Sequence, residues 1–181
     1  GMGNCALAFP AGAESRQYNP ASIAWFDKKI VSLDMLKLSL DRKVSAIHGL
    51  VPLKPIGAIG MSWTGSGVSG IPETTTYGEY TGNKMEDTEN LFSMGVAIKP
   101  SKYFSIGLGV GVNAAKFNNL DADVNSVNST SAGFDLGVVI HPHQNAWIGL
   151  SLRNLAASYD WDSSPIWDRN GEGAVVDEMP T

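Results

Sequence analysis

From Leu91 to Ala114 the chain alternates between bulky apolar and small residues at every second position. Phe92, Met94, Val96 and Ile98 interleave with Ser93, Gly95 and Ala97. After Lys99-Pro100-Ser101-Lys102, the residues Phe104, Ile106, Leu108, Val110, Val112 and Ala114 interleave with Ser105, Gly107, Gly109, Gly111 and Asn113. A period of two is the signature of a β-strand with two unlike faces. The same period predicts strands over Lys29–Met35, Lys43–Val51, Ile56–Trp63, Ser131–Ile140 and Ala146–Arg153, which makes seven. Leu36–Arg42 suits a strand or a helical period, because Leu33, Leu36 and Leu40 also recur at helical spacing. Ahead of the strands, Gly1–Phe9 reads as a strand or an extended plug, Pro10–Trp25 as irregular, and Ala21–Phe26 as a helical turn begun by Pro20.

Alternation suits a soluble sandwich as well as a membrane barrel, so the second face has to decide. A solvent-facing strand usually carries charge, yet none occurs in Leu91–Ile98 or Phe104–Ala114. A bulky face against lipid and a Gly/Ser face lining a crowded barrel interior give this pattern. The connections agree. Short turns at Pro52–Pro55, Lys99–Lys102 and His141–Asn145 alternate with long polar loops at Thr64–Asn90, Lys116–Thr130 and after Arg153. Outer-membrane barrels pair short periplasmic turns with long extracellular loops. Trp63, Tyr103 and Trp147 lie near predicted strand ends, where interfacial aromatic girdles are expected. The expected fold is therefore all-β, an antiparallel transmembrane β-barrel. Residues 1–28 form a plug- or hatch-like segment and residues 29–181 the N-terminal part of the barrel. Seven strands fall short of the about 8 that the smallest bacterial barrels use, so the expectation is a longer protein.

Composition is consistent with this. Charged residues make up 17% of the 181 residues, below the roughly 25% of soluble domains. A net charge of −5 without a basic run argues against nucleic acid as a partner. No window reaches the ~18 apolar residues of a membrane helix, but barrel strands need only about 9–11. The opening Gly1-Met2-Gly3 has no leader before it, and removal of one is the expectation. Cys5 is the single cysteine, so no intramolecular disulfide can form.

Several motifs occur in order along the chain: Gly1-Met2-Gly3-Asn4-Cys5-Ala6, Tyr18-Asn19-Pro20-Ala21, Gly133-Phe134-Asp135-Leu136-Gly137 and Gly149-Leu150-Ser151-Leu152-Arg153-Asn154-Leu155. Together they resemble the PorV/PorQ family of outer-membrane barrels, itself similar to FadL-like transporters. Asn4-Cys5 departs from the family's opening GMGGA segment. The resemblance implies a barrel of about fourteen strands, of which these seven would be half, in the outer membrane of Bacteroidota-like bacteria. It also implies a non-enzymatic partner of type IX secretion and surface attachment. The FadL likeness implies instead passive uptake of a hydrophobic ligand.

Candidate chemistry is sparse. Asn19, Pro20 and Ala21 read as a structural corner of the plug, since Asn bonds its own backbone and Pro presets φ. Tyr77, Tyr80, Tyr159, Trp161 and Trp167 lie in the outer segments as candidate contacts for secretion-system or secreted proteins. Asp121, Asp123 and Asn125 have calcium-loop spacing but lack the glycine and glutamate that complete it, so a solvated loop is expected. Asp160, Asp162 and Asp168 read as part of a folded outer loop. His48, His141 and His143 form no zinc pattern, and no serine sits in a G-x-S-x-G elbow. Gly65, Gly67 and Gly70 match a dinucleotide fingerprint in spacing alone, with Pro72 where the helix should run. No enzyme, cofactor or metal is expected. Lys28-Lys29 and Asp41-Arg42-Lys43 mark strand ends, and Asp34 and Asp135 should face the interior.

Overall fold

The computed structural model describes residues 7–74, 77–118 and 126–160. The expected seven strands are present: β1 (Ile30–Lys37), β2 (Arg42–Leu53), β3 (Gly57–Thr74), β4 (Tyr80–Ser101), β5 (Phe104–Asn118), β6 (Ser126–His143) and β7 (Ala146–Leu155). They form one antiparallel sheet in sequence order, each paired with the next. Among the described residues the sheet is not closed into a barrel, and β1 and β7 are its two edges.

Two expected loops are largely strand in their described residues. Thr64–Asn90 continues the ladder of β3 and β4, with Gly65 opposite Asn90 and Ile71 opposite Met85. Register shifts after Val68 and Pro72 accommodate the proline, which cannot donate to a ladder. Lys116–Asn118 and Ser126–Thr130 likewise lie in the ends of β5 and β6, where Asn118 pairs with Ser126. On the face that is bulky and apolar further along, these extensions carry Asn90, Thr88, Glu86, Lys116 and Asn128, so the backbone ladder continues where the bulky apolar period stops. The ambiguous Leu36–Arg42 resolves into the end of β1, the start of β2 and a tight turn between them. Leu40 and Asp41 adopt positive φ of 61° and 54° in that turn.

Register aligns the alternation of successive strands into cross-sheet rows. On one face Val96, Leu108, Leu136 and Leu152 lie side by side, as do Met61, Met94, Val110 and Phe134. These bulky residues are exposed, Met61 at 61% and Phe92 at 57%. The opposite face carries the rows Gly60–Gly95–Gly109–Asp135 and Ala58–Ala97–Gly107–Gly137. Two 3₁₀ helices, Ala13–Gln17 and Pro20–Trp25, pack onto that small-residue face. The core lies between them and the sheet, where Ile23, Ala24 and Ala13 meet Leu50, Ala58 and Ala97. Among the described residues the hydrophobic core is thus on the small-residue side, and the bulky side has none.

Candidate functional site

The N-terminal segment occupies the sheet through two side chains, Arg16 and Asn19. Arg16 is 2% exposed. Its stem runs over the glycine row: an added Cβ would meet Arg16 Cδ at 2.9 Å from Gly60 and at 3.1 Å from Gly95. One row further on, its guanidinium donates to Ser62 Oγ at 2.6 Å and also to Ser93 Oγ, and the two hydroxyls lie 2.9 Å apart. Burial is the main cause that lowers the Arg16 pKa to about 10, Asp135 acting against it and Arg153 with it. Arg16 therefore remains a cation at neutral pH, and Asp135 supplies the nearby negative charge. Nothing in the sequence marks Arg16 beyond the glycine and serine stripe that it fills.

Asn19 caps the second 3₁₀ helix, as its place before Pro20 suggests. Its Oδ1 accepts from Ala21 N at 3.0 Å, and Pro20 takes the first helical position. Its amide group reaches the carbonyls of Leu7 and Val138, both at 3.0 Å, and of Leu150 at 3.3 Å. One side chain thus ties residues 7–21 to β6 and β7. Pro20 and Ala21 rest on β5 and β6 because those strands carry glycine there. A Cβ on Gly107 would fall on the Pro20 carbonyl carbon and the Ala21 nitrogen, and one on Gly137 on the Asn19 side chain. Beside them, fully buried Ser105 donates to Ala21 O at 2.9 Å and accepts from Trp25 Nε1 at 2.8 Å.

Gly107→Ala should therefore weaken docking of the segment by about 1–3 kcal/mol, the usual cost of overpacking. Limited proteolysis within residues 8–28 and chemical denaturation read this out. Gly49→Ala is the contrast, since a Cβ there has nothing within 4 Å, and it should leave both measurements unchanged.

Aromatic rings close the short-turn end of this face. Trp147 stacks on His141 with centroids 3.8 Å apart, and Trp25 and Phe9 approach Trp147 edge-on at 4.8 and 5.6 Å. Lys99 Nζ lies 4.8 Å over the Trp25 ring. The expectation that Trp147 belongs to an outward girdle is corrected here: it stands one residue from the bulky Ile148 and so points to the other face. Trp63 is also not at a strand end, because β3 runs on to Thr74; its indole N–H donates to Asn90 Oδ1 at 3.1 Å. Tyr103 does stand at a turn, with Lys102 Nζ 4.8 Å over its ring.

At the opposite end the described residues leave a hollow on this face. A cavity of about 230 Å³ lies among Thr64, Glu89, Asn113, Ser131, Arg153 and Tyr159. Tyr159 is held over β5 by Asn113 Nδ2 at 3.2 Å, while Tyr77 and Tyr80 stand at the tip of the β3–β4 hairpin, Tyr77 being 92% exposed. The candidate tyrosines therefore divide between two places. Trp161, Trp167, Asp121, Asp123, Asn125, Asp162, Asp168 and Cys5 lie outside the described residues. Asp34 and Asp135 both stand on the small-residue face. Asp34 Oδ2 is 3.6 Å from His48 Nε2, and Asp135 Oδ1 accepts from Asn154 N at 2.9 Å. No group of three or more His, Cys, Asp or Glu side chains is placed to hold a metal ion among the described residues. Comparison of the chain with protein-family models, curated proteins and solved structures found no match.

Proposed function

We propose that this chain forms part of the wall of an outer-membrane β-barrel, with residues 1–28 as a hatch on its inner side. We further propose that it works without catalysis, as a PorV/PorQ-like partner of type IX protein secretion and surface attachment. The observation that carries the reading is the exposed apolar face, which spans β1 to β7, from Val31 to Leu152. Monomeric soluble proteins rarely expose apolar patches above a few hundred Å². Lipid resolves this, and it also explains why the core lies on the other side. In lipid the free edges of β1 and β7 would each have to meet a further strand.

Two features favour protein handling over carriage of a hydrophobic solute. The 22-residue β4 is about twice the length needed to cross a bilayer, so its hairpin with β3 would project Tyr77 and Tyr80 beyond the membrane. Aromatic side chains in such a place are common interface anchors. An apolar hollow of about 610 Å³ beside Val31, Ile47, Met61 and Phe92 opens on the bulky face, whereas the inner cavity is lined mainly by polar side chains. A hydrophobic-solute conduit needs the reverse arrangement.

The test is affinity purification of the full-length protein from its native host, with fractionation of the membranes. Expected are outer-membrane residence and co-purification of secretion components or their cargo. Co-purification of lipid or hydrocarbon alone, with secretion intact after deletion, would move the assignment to a transporter. Recovery as a monodisperse soluble protein without detergent would leave a soluble β-domain.

A further inference from the structure

We propose that the bulky face holds one membrane lipid with a phosphoethanolamine headgroup, in a trough that runs from Gly49 to Gly67. The inference rests on the membrane reading of that face. Two hollows meet there and share Trp63 as a wall. The apolar one, about 610 Å³, is open because Gly49 stands between Val31 and Met61 in its cross-sheet row. A Cβ on Gly49 would have nothing within 4 Å. The second, about 280 Å³ and nearer the long-hairpin end, lies over Gly65 and Gly67 with Lys43, Asn90 and Glu86 around it. The Trp63 indole crosses the junction. A Cβ on Gly65 would meet its ring at 2.7 Å, and its N–H donates to Asn90 Oδ1.

Register fixes the order of chemical groups along the trough. The last apolar row is Ile47–Trp63–Phe92–Val112, and the next is Ser45–Gly65–Asn90–Ala114. Then comes Lys43–Gly67–Thr88–Lys116, with Glu86 beyond Thr88 on the same face of β4 and Asp41 beyond Lys43 in the β1–β2 turn. Successive rows are two residues, about 6.7 Å, apart. A phospholipid carries its groups in the same order: acyl chains, glycerol esters, phosphate and, outermost, the ammonium. The Ser45 hydroxyl and the Asn90 amide can donate to ester oxygens, Lys43 can donate to the phosphate, and Asp41 and Glu86 can accept from the ammonium. Asp41, Lys43 and Glu86 are exposed, and none forms a salt bridge among the described residues. Asp87 also borders the second hollow but belongs to the opposite face by parity. A purely anionic headgroup would set its charge against Asp41 and Glu86 without an ammonium between them. From Gly49 to Lys43 the trough is about 20 Å long, enough for the roughly 15 Å of hydrocarbon in one leaflet and the ester level above it.

The experiment is native mass spectrometry of the purified full-length protein in detergent. The probes are dioleoyl phosphatidylethanolamine, its N-acetylated form and dioleoylglycerol. One phosphatidylethanolamine should be retained per protein, about tenfold or more tightly than either other lipid. Asp41→Asn combined with Glu86→Gln should bring the free and acetylated lipids within about twofold of each other. Lys43→Gln should weaken both of these about tenfold while leaving dioleoylglycerol within about twofold. Gly49→Leu, which fills the apolar hollow, should weaken all three about tenfold. Equal retention of the three lipids would overturn the site. So would charge variants that weaken all of them alike, or a Gly49→Leu protein that binds as the parent does. A detergent-requiring, heat-modifiable protein without the lipid preference would lose the site and keep the membrane reading. A protein monodisperse without detergent would lose both.

Discussion

Asn19→Ala should release the N-terminal segment from the sheet at a cost of about 2–4 kcal/mol, measured as loss of protease protection across residues 8–28. The sum has three parts. Losing the Oδ1 acceptor to Ala21 N removes a helix cap, typically about 1 kcal/mol. Losing the donor to Leu7 O and Val138 O removes two 3.0 Å hydrogen bonds, each about 0.5–1.5 kcal/mol. The longer approach to Leu150 O adds little, because one amide has only two hydrogens for three carbonyls. The side chain is 0% exposed, so no water replaces these partners unless the segment moves. Asn19→Asp is the sharper variant. It keeps the shape and the cap acceptor but aims a carboxylate oxygen at carbonyl oxygens, so it should be at least as damaging as alanine. Protection of the Asp variant at the native level would show that the cap alone holds the segment.

What the sequence makes legible depends on whether one residue's neighbours suffice to define it. The apolar belts of β3 to β7 are legible, since a strand between unlike environments writes its two faces into alternate residues. Beyond the belt the bulky apolar face of the β3–β4 hairpin gives way to Asn90, Thr88 and Glu86, so alternation vanishes and Thr64–Asn90 reads as a loop. Asn19-Pro20 is legible as a corner because capping is local; its reach to Val138 and Leu150, more than a hundred residues on, is not. Arg16 has no local signature at all. It is defined by Gly60, Gly95, Ser62 and Ser93, which come together only when β3 and β4 are in register. Trp147 is a different case. Its parity against Ile148, Leu150 and Leu152 was available in the sequence, and an assignment from parity places it on the face where it is found.

Parity also fixes the second large expectation, Leu108→Arg. Leu108 lies in the middle of β5, 49% exposed on the bulky face, between Val96 and Leu136. If that face meets hydrocarbon, an arginine there should cost about 2–4 kcal/mol of stability in a bilayer. Urea titration of the protein folded into vesicles, read by heat-modifiable mobility, measures the cost. The control needs care. Ser105 belongs to the opposite face by parity, and Ser105→Asn would look harmless on that ground, but Ser105 is clamped between Trp25 and Ala21 and has no room for a larger amide. Ser66, half-buried at the open cavity, is the better position, and Ser66→Asn should shift the midpoint by less than about 0.5 kcal/mol. The two environments predict different results for Leu108→Arg. In water an exposed leucine has no packing to lose, so the variant would stay within about 0.5 kcal/mol of the parent and gain solubility. A penalty confined to the lipid-embedded protein would identify the bulky face as the one that meets the membrane.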